Sequence, residues 1–223
     1  MKIVNLDGYT TNPGDLSWDW LGNYGEYKVY DRTAPEQIVE RAKGADILII
    51  NKSVITAQML ENLPNLKFVG LQSTGYNVID CKAARARNIT VSNIPAYSTT
   101  GVAQLVFAFI LQVADNVSLH SDAVHNGEWC ECPDFCFWKT PLTELDGKTI
   151  GIIGFGSIGR RVAQIANAFG MNVEVFTTHP KPDEYKNVNF VDFDTLLSDS
   201  DFITCHCPLT EKTENLIEKR AHS

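Results

Sequence analysis

The chain carries no basic excess: 19 Lys and Arg stand against 27 Asp and Glu in 223 residues, a net charge of −8. A nucleic-acid binder needs a basic stripe to neutralise phosphates, so the charge balance argues against that class. A small anion held by a few local donors is not excluded. The chain also lacks a run long enough to span a membrane. Its longest apolar stretch, residues 102–114, contains Gln104 and Gln112 and falls short of the ~20 residues a bilayer core requires. The N-terminus, Met1-Lys2-Ile3-Val4-Asn5-Leu6-Asp7, reads as a strand and lacks the long apolar segment of a secretory signal. Neither an internal repeat nor a low-complexity tract is present. What is plentiful is apolar matter. With 44% hydrophobic and 21% charged residues, the chain can fill one large core or two modest ones.

The six cysteines stand at 81, 130, 132, 136, 205 and 207. Without a secretory signal they point to reduced thiols in the cytoplasm. The cluster Cys130, Cys132, Cys136 matches no common zinc spacing, and His125 alone does not complete a ligand set, so no metal is expected. The plainer expectation is a loop whose thiols pack under Trp129, Phe135, Phe137 and Trp138.

The hydrophobic pattern describes an α/β chain made of two successive units, 1–98 and 99–223. In the first, strand patterns at Ile3–Leu6, Tyr27–Tyr30, Ile47–Ile50, Phe68–Leu71 and Thr90–Val91 alternate with helical ones at Pro35–Ala42, Ala57–Leu63 and Asp80–Arg87. That alternation implies parallel strands joined by right-handed crossovers. Thr33 followed by Pro35 and Glu36 has the form of a helix start. Asn12–Gly25 reads as a loop with a short helix. Pro95–Gly101 is a turn-rich hinge, after which Val102, Leu105, Val106, Phe109, Ile110, Val113 and Val117 fall on one face of a single long helix.

The second unit holds the sharpest signal. A strand through Lys148–Ile153 runs directly into Gly154-Phe155-Gly156-Ser157-Ile158-Gly159, a helical pattern continues to Phe169, and a second strand follows at Val173–Phe176. This is a dinucleotide fingerprint in its required strand–turn–helix setting. Gly154 permits the tight turn, Gly156 lets the backbone approach a pyrophosphate, and Gly159 lets helix and strand pack closely. The helix start then offers free N–H groups and a positive dipole end to the phosphates.

The acidic residue that normally grips the ribose 2′-hydroxyl after the second strand is missing. Thr177 stands there, followed by Thr178, His179, Pro180 and Lys181. Hydroxyls and a nearby cation tolerate a 2′-phosphate that a carboxylate would repel, so the cofactor is NAD or NADP with a lean toward NADP. An unphosphorylated ribose on Thr177 remains open. A further strand, Phe202–Cys205, ends in His206-Cys207-Pro208-Leu209-Thr210, at the sheet end where ligands bind. Cofactor contacts are therefore expected near Cys207 and at Thr210 or Thr213. His206 reads more readily as a backbone anchor than as an acid or base.

Four segments together resemble the D-isomer-specific 2-hydroxyacid dehydrogenases over the whole chain: Ser73–Asp80, Gly101–Gln104, Gly154–Gly159 and His206–Thr210. The run Trp129–Trp138 is similar to the glycerate dehydrogenase (hydroxypyruvate reductase) branch. The resemblance implies a flavodoxin-like substrate domain followed by a Rossmann dinucleotide-binding domain, with the active site in the cleft between them. It implies that the backbone of Thr74, Gly75 and Tyr76 binds the substrate carboxylate, the first agreeing with a Gly-containing loop placed after a strand. It places Val102 near the nicotinamide, Ser157 and Ile158 over the pyrophosphate, and His206, Cys207, Pro208 and Thr213 along the cofactor.

The chemistry it implies is reversible hydride transfer to or from a small 2-keto or 2-hydroxy acid, with hydroxypyruvate, glyoxylate and D-glycerate foremost. The family's catalytic Arg, Glu and His lie beyond Ser223, and Arg220 and His222 come too early to match them. The Rossmann domain is thus expected to be incomplete and this chain inactive alone, the full-length form being a homodimer. A non-catalytic nucleotide-binding module, or one half of a split enzyme, is the alternative.

Overall fold

The structure, a computed structural model, describes residues 1–218. The chain divides into two compact units, residues 1–97 and 98–223, each with its own parallel sheet.

In the first unit the strands are short; the central ones are apolar with alternate residues buried, while the two edge strands carry polar, exposed residues. β1 (Lys2–Asn5) leads into a single turn, α1 (Gly8–Thr11), and then a 3₁₀ turn at Asp19–Asn23. β2 (Glu26–Val29), α2 (Ile38–Ala42), β3 (Ile47–Ile50), α3 (Ala57–Glu61), β4 (Phe68–Leu71), α4 (Cys81–Ala86) and β5 (Thr90–Ser92) follow. The sheet order is β2-β1-β3-β4-β5, a flavodoxin-like arrangement that reverses direction at β1 and β3. Val4, Leu48, Ile50, Val69 and Leu71 supply its buried centre, with Ile38, Leu60 and Ala84 packed from the helices.

Local signals held where a side chain was free to cap. Thr56 accepts from Met59 N at 3.3 Å and Asp80 from Ala83 N at 2.9 Å, starting α3 and α4. The Thr33 start did not form. Its hydroxyl donates to Leu6 O at 2.7 Å, so a tertiary contact outcompetes the cap, and a 3₁₀ turn at Pro35–Gln37 precedes α2.

The second unit opens with α5 (Thr99–Asp115), α6 (Val117–His125) and a short α7 (Glu128–Glu131). β6 (Thr149–Ile153), α8 (Ser157–Ala168), β7 (Asn172–Phe176), β8 (Asn189–Phe190), α9 (Phe193–Asp199) and β9 (Phe202–Cys205) complete it. The sheet order is β8-β7-β6-β9, half of a Rossmann sheet. α5 packs on α8 through Ala103, Phe107, Ile110 and Ala114 against Val162, Ala163 and Ala166. The Phe107 and Phe169 rings stack 5.4 Å apart.

The single long helix expected from Val102 to Val117 is two. Asn116, in the left-handed region at φ 49°, breaks it, and the two halves bend by 65°. Gln112 Oε1 then accepts from Ser118 N at 3.2 Å and from its hydroxyl at 3.0 Å, supporting the start of α6. Part of the stripe read as the core face is exposed, with Phe109 64% and Val113 70% accessible, while Ile110 is buried. Among the described residues no single helix is long and apolar enough to cross a membrane.

Candidate functional site

In the second unit, the backbone after β6 explains the glycines. Gly154 takes φ +95°, and a Cβ there would stand 2.7 Å from Cys207 N and 2.8 Å from His206 O. At Gly159 a Cβ would meet Gly154 O at 2.3 Å, so that glycine sets how closely α8 approaches the strand. Gly156, at the N-cap of α8, has ordinary φ and nothing within 4 Å of a built Cβ. It guards open space rather than relieving a clash.

The first turn of α8 has no acidic residue and no side-chain cap, so the amides of Ser157 and Ile158 face outward unsatisfied. Ser157 is exposed and Ile158 half-buried. An anion is the natural partner for such a turn. The space over Gly156 is open, with no side chain in it, so the turn has room for a diphosphate.

Beside it, His206 N donates to Ile153 O at 2.7 Å, and its ring Nε2 pairs with Thr204 Oγ1 at 2.9 Å. Burial lowers the imidazole from its ordinary value, which favours the neutral ring. Cys207 is half-buried against the cluster of Ile153, Phe193 and Leu196. Burial, with Cys207 nearby, pushes the Cys205 thiol up, which disfavours its thiolate. Pro208 O accepts from Thr213 Oγ1 at 2.6 Å, and the same hydroxyl accepts from Thr210 N at 2.8 Å. Thr213 therefore pins the turn after β9.

At the ribose end, Thr177 is half-buried and its hydroxyl accepts from His179 N at 3.4 Å. Lys181 Nζ is paired with both oxygens of Glu184, at 2.9 and 3.1 Å, which blunts the nearby cation. Val102 lies half-buried in the first turn of α5.

In the first unit, the loop after β4 exposes a row of unused donors. The carbonyls of residues 72–76 are all held. Gln72 O accepts from Asn51 Nδ2 at 2.6 Å, Ser73 O from Ile94 N at 3.0 Å, and Thr74 O from Asn93 Nδ2 at 2.8 Å. Gly75 O accepts from Ser73 Oγ at 2.7 Å and Tyr76 O from Ile79 N at 3.3 Å. In a trans peptide the next N–H points the opposite way. Accordingly, the amides of Thr74, Gly75 and Tyr76 find no acceptor among the described residues. Gly75 needs no glycine for space, since a Cβ would lie an ordinary 3.4 Å from Asn77 Oδ1. Its value is a bare approach to the amides. Sequence reasoning singled out this loop but missed Asn51 and Asn93, which hold it. The signal was polar side chains just past β3 and β5.

The Cys130–Cys136 loop differs from the packed arrangement expected. Phe135 and Trp138 are 91% and 70% exposed, and Cys130 and Cys136 are exposed with them. Short spacing in a segment bonded mainly to itself, through Trp129 Nε1 to Phe135 O at 3.2 Å, leaves the thiols no core to enter. No three of His, Cys, Asp and Glu converge into a metal site among the described residues. Arg220 and His222 lie outside the described residues.

Comparison with known proteins agrees with this geometry. Residues 107–222 match the NAD-binding domain of the D-isomer-specific 2-hydroxyacid dehydrogenases. The chain is 46% identical to a hydroxypyruvate reductase of Blautia hydrogenotrophica, over 98% of this chain and 69% of that one. It is 39% identical to a glycerate dehydrogenase of Methylorubrum extorquens, over 86% of this chain and 60% of that one. Among solved structures, an acyclic imino acid reductase in complex with NADPH and D-Arg superposes with a TM-score of 0.80. The identity is 31%, covering 99% of this chain and 69% of that one. The chain thus spans about two thirds of the length of these relatives.

Proposed function

Since this chain belongs to the D-isomer-specific 2-hydroxyacid dehydrogenase family, we propose that it is the substrate-binding unit and part of the cofactor unit of a reductase for small 2-keto acids. Hydroxypyruvate and glyoxylate are the leading substrates and D-glycerate the alcohol of the reverse direction. The single observation that carries this reading is the uncapped, carboxylate-free first turn of α8 behind Gly154 and Gly156. A nicotinamide dinucleotide, when bound, supplies or accepts the hydride.

The chain's own residues bind and orient. Backbone amides at Gly156, Ser157 and Ile158 hold the diphosphate, and Thr177 meets the adenosine ribose without repelling a 2′-phosphate. NADP(H) is accepted at least as well as NAD(H) on this reading. His206, Cys207 and Pro208 line the cofactor side, with Thr213 bracing their turn and Val102 near the nicotinamide. The amides of Thr74, Gly75 and Tyr76 take the substrate carboxylate.

Proton transfer is a separate requirement. His206 is an unsuitable donor, since burial favours its neutral ring and Nε2 is engaged by Thr204. The family's Arg, Glu and His have no counterpart within residues 1–218. The 223-residue polypeptide by itself is therefore expected to bind cofactor and to reduce hydroxypyruvate poorly, by at least about a hundredfold relative to a complete relative.

Fluorescence titration with NADH and NADPH, followed by a hydroxypyruvate assay on this chain and on one extended to its relatives' length, tests each part. Binding without turnover, restored by the extension, supports the reading. Full turnover by the 223-residue chain would refute the missing-donor argument. Cofactor binding with no turnover even after extension would favour a non-catalytic nucleotide-binding module. A strong preference for NADH removes the NADP lean.

A further inference from the structure

We propose that Asn51, fixed in place by the buried carboxylate of Asp7, is a positioning residue that orients the carboxylate-binding loop. The inference rests on the reading of Thr74–Tyr76 as that loop and adds what sets its conformation.

Asp7 follows β1 and is buried at the point where the first sheet reverses direction. Its Oδ2 accepts from the backbone N–H groups of Asn51, Lys52 and Ser53 at 2.8, 3.0 and 2.9 Å. Its Oδ1 accepts from Ser53 Oγ at 2.9 Å. Its own N–H donates to Asn5 Oδ1 at 3.0 Å, which ties the carboxylate to the strand it leaves. The segment after β3 is thereby wrapped around a buried carboxyl group. In a flavodoxin-like sheet the crevice outside β1 and β3 is the usual ligand position. Here a side chain of the chain itself fills it, and the free donors lie one strand further along, after β4.

Asn51 connects the two. Its N–H is held by Asp7 while its Nδ2 donates to Gln72 O at 2.6 Å. Gln72 N already donates to Ile50 O at 2.9 Å, so both polar groups of Gln72 face β3. This fixes the Gln72–Ser73 peptide plane, from which the alternation of the following carbonyls and amides proceeds. Asn93 performs the matching task from the β5 side at Thr74 O. With the Asn51 contact gone, Gln72 O loses a short partner, and the free N–H row loses its anchor on the β3 side. An anion site made of backbone amides is preorganised by whatever holds its carbonyls, and Asn51 holds the first of them.

The test uses the full 223-residue chain and oxamate, a stable planar 2-keto acid analogue. Amide order parameters for residues 73–76 and oxamate affinity are measured by NMR for the unaltered chain, Asn51→Ala and Asn51→Asp. The aspartate has nearly the same shape and no N–H to donate, so a packing role alone survives in it. Expected are order parameters falling from the rigid toward the flexible range in both variants and oxamate binding weakened about fivefold, the scale of one lost hydrogen bond. NADH affinity in the second unit should stay within twofold. Unchanged order parameters and oxamate affinity in Asn51→Asp overturn the proposal. If oxamate leaves the amides of Thr74, Gly75 and Tyr76 unmoved in the unaltered chain, the carboxylate reading itself fails, while the order parameters still decide whether Asn51 holds the loop.

Discussion

Two glycines of one motif, Gly156 and Gly159, do different things, and the difference is measurable. Gly159 sits where a Cβ would lie 2.3 Å from a backbone carbonyl, and backbone cannot yield cheaply. Gly159→Ala should therefore destabilise the second unit by about 1–3 kcal/mol, the usual cost of overpacking, and lower the melting temperature with it. Gly156 has ordinary φ and empty surroundings. Gly156→Ala should keep the melting temperature of the unaltered chain and yet weaken NADH about tenfold, because the methyl stands where the diphosphate must approach. Thermal denaturation and fluorescence titration on the two variants separate the roles. Undiminished NADH binding by Gly156→Ala would mean the diphosphate does not lie over that backbone. The motif was legible because its spacing encodes these close approaches. The Asp7–Asn51 relay was not, since an Asp and an Asn past two strand ends are common loop residues until the fold sets them side by side.

At the scale of elements, strands and crossovers were the readable part. Ile47–Ile50 and Phe68–Leu71 lie where their apolar runs put them, because a short apolar run between turn residues is the pattern of a central parallel strand. The helices after the hinge were harder. Leu105, Phe109 and Val113 have helical spacing, but so does the set Ala103, Phe107, Ile110 and Ala114, and only packing on α8 chooses the second.

Beneath α9 lies an element contact that composition did not suggest. Gly151 of β6 makes room there for Leu196 and Ser200, and the neighbouring β7 residue in register is Glu174. Its Oε2 is buried without a partner. Burial first, and the negative charge of Asp199 second, raise the Glu174 carboxyl above its ordinary range. A raised carboxyl binds its proton more tightly when folded, so this contribution to stability is present at low pH and lost as pH rises through the shifted value. Glu174→Gln should raise the melting temperature at pH 7 by about 2 °C relative to the unaltered chain, with the gain vanishing near pH 4. An equal gain at both values would locate the effect in packing rather than charge.

At the scale of the whole molecule, the apolar stripe on α5 needs an explanation. Leu105, Phe109, Val113 and Val117 are exposed on adjoining turns of α5 and the start of α6, while the opposite face is spent on α8. Leu105, Phe109 and Val113 form an exposed apolar row on α5 before the bend at Asn116, the kind of patch that interaction surfaces present. A second copy of the chain meets the requirement, since a two-fold contact is self-complementary and presents the same stripe from both sides. Such a contact excludes about 800 Å² per partner in a typical stable interface, and an apolar stripe forms its centre rather than its rim. Phe109 and Val113 are the most exposed of these, so carboxylates at both positions would bring like charges together in a two-fold contact. The chain should sediment as a dimer and Phe109→Glu with Val113→Glu as a monomer, with melting temperature and NADH affinity little changed, since neither side chain enters the core or the fingerprint. A monomeric unaltered chain at the concentrations used for binding would assign the stripe to something other than a second copy.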